Sequence, residues 1–356
     1  MTATPIIALD FMGGDEGAPV TIAAAALARK RYPDTRFRLY GDEAVIREKL
    51  SRYPDLSAES EIIHTDVEVL GTDKPSQILR AARKSSMGLA VADVKAGAAH
   101  AAVSAGNTGA LMALAKIGLR TMPGIDRPAL AALLPTMKSD VVMLDLGANA
   151  ECDDENLIQF AVMGAVFARI VLGLDTPRVG LLNIGEEELK GTDDHKVAAD
   201  ALKAAEAATA LNLSYAGFIE GDKIGRGDVD VVVSDGFSGN VALKSIEGTA
   251  KLVIELLRRA FRANLWSILG FFMSKRVLAS LRAHLDPNAH NGAVFLGLNG
   301  IVVKSHGSAN VEGFANAIGV AHDLIVDDMQ RRIAEDLDSF QAQRAAPPAE
   351  RQEAAE

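Results

Sequence analysis

Short β-branched runs alternate with longer Ala-rich stretches along this chain, and several of the runs are apolar without interruption. Residues 141–144 read Val-Val-Met-Leu and residues 231–233 read Val-Val-Val. A strand that is apolar at every position is covered on both faces, as in a parallel sheet between two helix layers. The pattern predicts strands at 6–10, 37–40, 101–104, 141–145, 179–183, 215–219, 229–234 and 301–304. It predicts helices at 18–31, 77–98, 108–119, 156–172, 193–208 and 240–261. This alternation is that of a doubly wound, mostly parallel α/β sandwich. No internal repeat and no Pro-rich or Gly/Ser-rich linker divides the interior, so residues 1–338 read as one domain. Residues 339–356 combine Pro, Gln, Glu and Ala with few large apolar side chains, and predict a disordered tail.

In open α/β sheets, ligands sit at the carboxyl ends of strands. Those ends read DFMGGD, SAGNTGA, DLGANAE, NIGEEELKGTD, EGDKIGRGD, SDGFSGNVALK and KSHGSAN in chain order. Glycine lets backbone approach a ligand, and the free N–H groups of a helix start point at negative charge. Any one such loop also serves as a plain turn or cap, but their coincidence at one sheet edge predicts an anion site. G-x-G-x-x-G, G-x-x-x-x-G-K-[ST], H-E-x-x-H and G-x-S-x-G are all absent, which excludes the common dinucleotide, nucleotide, metalloprotease and hydrolase sites. The loops suit a compact anion, and no cofactor or metal is called for.

Composition narrows the partners. With 37 Lys+Arg against 47 Asp+Glu the net charge is −10, which argues against a nucleic-acid face. A single cysteine, Cys152, excludes a disulfide framework and fits a reducing compartment, and as a lone thiol it reads as a buried small residue. The N-terminus lacks the basic and long apolar segments of a secretory signal, and no run reaches the ~20 residues of a spanning helix.

DFMGGD, SAGNTGA, RPAL (127–130), LGAN (146–149), NIGEE…KG, GDVDVVVSDGFSGNVALK and SHG, in that order from about residue 6 to 323, resemble the phosphate acyltransferases of bacterial phospholipid synthesis. The stretch 290–300 departs from that pattern in having fewer Gly and Pro. The resemblance implies a phosphotransacetylase- or isocitrate-dehydrogenase-like fold. It also implies the reaction of acyl-acyl-carrier-protein (acyl-ACP) with inorganic phosphate to give acyl phosphate and ACP, in a homodimer. Phosphate is the nucleophile, so the protein has to position it, hold the thioester carbonyl and stabilise the developing oxyanion.

Lys190, the basic position of NIGEE…KG, is then the candidate cation; its plain alternative is a solvated lysine paired with Glu186, Glu187 or Glu188. Asn240 is the candidate amide donor, against a simple N-cap role. His306 is the candidate acid or donor. Asp10, Gly13, Gly14, Ser104, Gly106, Asn107, Thr108, Asp235, Ser238 and Gly239 are expected to bind phosphate or thioester, with Asp10, Asp15, Asp145 and Asp235 ordering the loops. His64, His100, His284 and His322 read as structural, and His195 is open to either role.

A further segment, 257–285, is apolar at Leu265, Trp266, Ile268, Leu269, Phe271, Phe272 and Met273 and flanked by Arg258, Arg259, Arg262, Lys275, Arg276 and Arg282. It predicts a helical hairpin whose apolar face meets a membrane surface or acyl chain and whose Arg258, Arg259 and Arg262 dock acidic ACP, against plain core or dimer packing. By resemblance the product passes to a membrane glycerol-3-phosphate acyltransferase, which places the protein in the cytoplasm, peripheral to the inner face of the plasma membrane. The other readings are a CoA-dependent short-chain phosphate acetyl- or butyryltransferase, an isocitrate-dehydrogenase-like oxidoreductase, and a non-catalytic membrane-recruited scaffold.

Overall fold

The structure is a computed structural model that describes residues 4–15, 17–70, 81–208 and 211–345. Its strands are β1 (Ile6–Asp10), β2 (Arg36–Gly41), β3 (Ser60–His64), β4 (Ala101–Ser104), β5 (Ala129–Pro135), β6 (Asp140–Leu144), β7 (Arg178–Asn183), β8 (Ser214–Glu220), β9 (Val231–Val233), β10 (Ala293–Leu296) and β11 (Ile301–Lys304). The helices are α1 (Ala18–Arg31), α2 (Glu43–Leu50), α3 (Pro54–Ala58), α4 (Ser86–Ala96), α5 (Thr108–Leu119), α6 (Asp154–Val171), α7 (Asp193–Ala207), α8 (Gly236–Phe261), α9 (Leu265–His284), α10 (Val311–Val326) and α11 (Met329–Ala345). All strands join one mixed, mostly parallel sheet in the order β3-β2-β1-β4-β11-β10-β5-β6-β9-β7-β8.

Alternate strand residues enter opposite layers, which explains the continuous apolar runs. Ile7 and Leu9 of β1, and Val142 and Leu144 of β6, join the core that also buries α6 and α10. Ala8 lies in a second cluster with α4 and α5, and Val141 and Met143 in a third. Helix α6 is buried from Asn156 to Ala168, so the sheet is covered on both faces.

Three strands escape the sequence pattern. Strand β5 is Ala- and Leu-rich and carries no β signal of its own, β3 is an edge strand with only two large apolar residues and no fully buried position, and β10 lies in a Gly- and Asn-punctuated stretch. Of the expected 77–98 helix, 86–96 is observed as α4, capped by Ser85 and ended by Gly97 at φ 71°; a turn at 83–85 corrects the single continuous helix, and residues 77–80 lie outside the described set. The expected tail from 339 is corrected over its first residues: α11 continues to Ala345, because Met329, Ile333, Leu337 and Phe340 turn one face into the core and Arg169 pairs with Asp336 at 2.6 Å. The remainder of that tail lies outside the described residues. Phe340 is 2% exposed, so Phe340→Ala is expected to cost ~3–5 kcal/mol and lower the melting temperature markedly. A tail residue would show no change in a thermal melt.

The topology also corrects the expectation of a single edge. Strands β1, β4 and β11 are parallel, as are β6, β9 and β7, but three antiparallel pairings separate the two sets. An odd number of reversals points the two sets of strand ends in opposite senses. Sheet twist of about 20–25° per strand, summed over five steps from β4 to β9, swings them back to within roughly 55–80° of each other. The strand-end loops therefore fall into two groups, referred to below as two walls, one at the ends of β1, β4 and β11 and one at the ends of β6, β9 and β7.

Candidate active site

The first wall is built on Asp10, a buried carboxylate at the end of β1. Its Oδ1 accepts from the N–H of Met12 (3.1 Å) and Gly13 (3.2 Å) and from Ser86 Oγ (2.6 Å), and its Oδ2 accepts from Ser104 Oγ (2.6 Å). Ser104 Oγ in turn accepts from Gly106 N at 3.0 Å. A Cβ on Gly13 would lie 2.5 Å from Asp10 Oδ2 and 2.7 Å from Gly106 N, so only glycine lets the two loops meet. Asn107 Oδ1 accepts from Ala110 N at 3.0 Å, which makes Asn107 the N-cap of α5 and places Gly106 and Thr108 at an open helix start. Gly14, at φ 98°, turns the β1 loop so that Asp15 N reaches the Gly307 carbonyl at 2.9 Å.

His306 belongs to this wall. Its Nδ1 accepts from Ser308 N at 3.2 Å, so the neutral ring carries its proton on Nε2 and acts as a donor there. Burial, with nearby Lys304, pulls its pKa below the ordinary histidine value.

Asp145, fully buried, organises the second wall. Its carboxylate accepts from the backbone N–H of Leu130, Gly147, Ala148 and Asn149 and from Asn149 Nδ2, at 2.7–3.1 Å. The loop it shapes then holds the start of α8: Gly236 N donates to the Asn149 carbonyl at 2.8 Å, and Asn240 Nδ2 donates to the Leu146 carbonyl at 2.9 Å. The N-cap of α8 is Asp235, which accepts from Ser238 N and Ser238 Oγ, both at 2.8 Å. Asn240 is thus not the cap, and one of its two amide protons is committed to Leu146.

The Lys190 loop stands beside this wall because β7 pairs with β9. Asn183 Nδ2 holds the Lys190 carbonyl at 3.2 Å, and Gly191, at φ 86°, lies against the Asn183 side chain. Two of the three glutamates before Lys190 have other partners, Glu186 with Lys223 at 2.5 Å and Glu188 with Lys203 at 2.6 Å. Among the described residues Lys190 is in no ion pair, and its side chain is exposed, so the glutamate pairing is not seen while the solvated reading stays open. His195 follows in the first turn of α7, where burial lowers its pKa although Asp235 opposes the shift. Cys152 lies in the second wall, and burial together with Asp145 pushes its thiol up to about 12, leaving no thiolate at neutral pH.

Helix α8 joins the two walls. Asn240, Lys244, Glu247 and Lys251 fall at spacings of 4, 3 and 4, one face of the helix, and His306 lies within electrostatic reach of the last three. From Asn240 to Lys244 the helix advances only ~6 Å. The expected residues thus divide into Asp10, Gly13, Gly14, Ser104, Gly106, Asn107, Thr108 and His306 on one wall and Asp235, Ser238, Gly239, Asn240 and Lys190 on the other. Sequence reasoning missed two groups. Lys304 closes the apolar β11 as its lone charge, and Glu68 has its pKa raised by burial and, after that, by the charge of Asp10, which it faces.

Beyond Lys251, α8 packs on α9 around a groove of about 460 Å³ lined chiefly by Ile254, Leu257, Phe261, Ile268, Phe271 and Leu281. Phe261 and Phe271 meet edge to face at 5.6 Å. The apolar residues expected on one face occupy two: Ile268, Phe271 and Phe272 line the groove, whereas Trp266 (82% exposed), Leu269 and Met273 (83%) point outward. The Leu265 side chain lies outside the described set. Arg258 and Arg262 rim the groove, and Arg258 and Arg259 share Glu255, each at 3.1 Å. Among the described residues no helix is long and apolar enough to cross a membrane.

Comparison with known proteins matches residues 6–332 to the family model described as fatty acid synthesis protein. The phosphate acyltransferase of Erythrobacter litoralis is 58% identical over 94% of this chain and 93% of its own, and that of Parvibaculum lavamentivorans 55% over 95% and 93%. Among solved structures, a phosphotransacetylase from Streptococcus pyogenes aligns with TM-score 0.61 at 16% identity, over 91% of this chain and 95% of that one. The EutD phosphotransacetylase from Staphylococcus aureus aligns with TM-score 0.56 at 19% identity, over 90% and 94%. These two share the fold. The chain belongs to the fatty acid synthesis protein family whose curated members are named phosphate acyltransferase, a family of acyltransferase enzymes.

Proposed function

We propose that the protein converts long-chain acyl-ACP and inorganic phosphate into acyl phosphate and ACP, which supplies glycerol-3-phosphate acylation in phospholipid synthesis. The observation that supports this reading is the Lys190 ammonium, without an ion pair among the described residues, in the loop after β7, the strand that neighbours β9, from which the chain enters the helix that carries Asn240. Phosphate binds at the Ser104–Thr108 loop, where helix-start amides and the His306 Nε2–H face it. The thioester carbonyl lies toward the second wall. Phosphate oxygen attacks the carbonyl carbon, and the oxyanion is stabilised by the free Asn240 amide proton and by Lys190. Collapse of the intermediate expels the carrier thiolate, which takes a proton from solvent. Phosphate-dependent release of free ACP thiol from palmitoyl-ACP is the test, and its absence at saturating phosphate defeats the reading.

Three features support the finer proposals. The groove between α8 and α9 suits an acyl chain, and its Arg258 and Arg262 rim, with Arg259 nearby, suits acidic ACP. The outward face of Trp266, Leu269 and Met273 suits a peripheral membrane contact. Ala242, Ile246, Thr249, Val253, Leu256 and Ala260 follow one another at 4-3-4-3-4 along α8, opposite its Asn240 face, and suit the seam of a homodimer. Leu269→Glu together with Met273→Glu is expected to abolish co-sedimentation with anionic liposomes and leave melting unchanged. Undiminished co-sedimentation would remove the membrane proposal.

A further inference from the structure

We propose that Lys304 is a positioning residue for the phosphate site: its ammonium ties the loops after β4 and β11 together and offsets carboxylates that would otherwise repel the anion. The inference rests on the reading that the Ser104–Thr108 loop holds phosphate. Lys304 ends β11 in register with Ser104, the last residue of β4, and is 9% exposed. Its Nζ donates to the Ala105 carbonyl at 3.4 Å and to the Ser305 carbonyl. One acceptor belongs to the loop that opens α5, the other to the loop that carries His306. The same ammonium therefore sets the distance between the two donors assigned to phosphate.

Its second task is electrostatic. Asp10 from the end of β1 and Asp15 from the loop before α1 face Lys304, and Glu68 faces Asp10. His306 is its neighbour on its own loop, with Lys244, Glu247 and Lys251 of α8 beyond. Without the ammonium, this wall would present three carboxylates to an incoming phosphate. Burial lowers the Lys304 pKa to about 8 although both aspartates oppose the shift. The charge is thus present at neutral pH and is lost as pH rises through that value. Free phosphate itself titrates near neutrality, so weakening that belongs to the protein is read as the difference between the wild-type and Lys304→Arg profiles.

The probe is inorganic phosphate, followed by its stabilisation of the folded chain in a thermal melt and by its KM in acyl phosphate formation. In the wild type, phosphate affinity is expected to fall as pH passes about 8. Lys304→Arg keeps its charge and should hold affinity level across that range. Lys304→Met should weaken phosphate by about ten- to a hundredfold at neutral pH, with kcat less affected. The wild-type pH series needs no variant, so a misfolded Lys304→Met does not remove the test. A level wild-type affinity across the range, or a Lys304→Arg profile identical to the wild type, overturns the inference. If phosphate binds with the expected pH dependence and no acyl phosphate forms, the reaction fails and Lys304 stands.

Discussion

Replacing Asn240 with Ala is expected to lower kcat by about a hundred- to a thousandfold, the usual loss for one oxyanion donor. The side chain is exposed and its single described hydrogen bond, to the Leu146 carbonyl at 2.9 Å, contributes only ~1 kcal/mol to folding. Melting of Asn240→Ala should therefore stay close to wild type while turnover collapses. Lys190→Ala should behave alike, because Lys190 is exposed and supports no ion pair among the described residues. The measurement is kcat with palmitoyl-ACP at saturating phosphate beside a thermal melt. A kcat within about threefold of wild type for both variants would move the chemistry away from the second wall.

The neighbouring Gly239 is expected to show the opposite separation. A Cβ there would overlap the Asp145 carbonyl and lie 2.5 Å from Ser234 Oγ, where the first turn of α8 rests on the β6 and β9 loops. Neither obstacle is the far end of a flexible side chain, so the helix start must shift. Gly239→Ala is expected to cost at least ~3 kcal/mol, the upper end for an overpacked core. Activity is lost with it, since Asn240 is carried on the displaced turn. Chemical denaturation measures this directly, and a wild-type midpoint would contradict the packing described here.

Much of this was legible in the sequence. Strands such as Val141–Leu144 declare themselves because both of their faces are buried, and DFMGGD, SAGNTGA and DGFSGN mark the ends where the walls form. Three things were not legible, for physical reasons. Strand β5 is made of Ala and Leu, and the reversals it introduces with β10 exist only as pairings between distant segments. The division of the loops into two walls follows from those reversals. The end of helix α11, from 339 to 345, looked like a polar tail because Phe340 is its one large apolar residue there. Lys304 was passed over because a lone lysine at the end of Ile-Val-Val-Lys reads as a strand terminus, whereas its burial arises from the packing of β4 and the β1 loop around it.

Fixed charge explains how a chain with net charge −10 can handle anions. On the proposed reading, Lys190, Lys304 and the Arg258–Arg262 group supply positive charge at the substrate positions, against the negative sum of the chain. The most direct test is to incubate the wild-type protein with palmitoyl-ACP and phosphate and trap acyl phosphate as its hydroxamate, with acetyl-CoA as the competing donor. Palmitoyl hydroxamate that requires phosphate, formed from the ACP thioester in clear preference to acetyl hydroxamate from CoA, is the predicted result. Acetyl hydroxamate alone, or no hydroxamate from either donor, would contradict it.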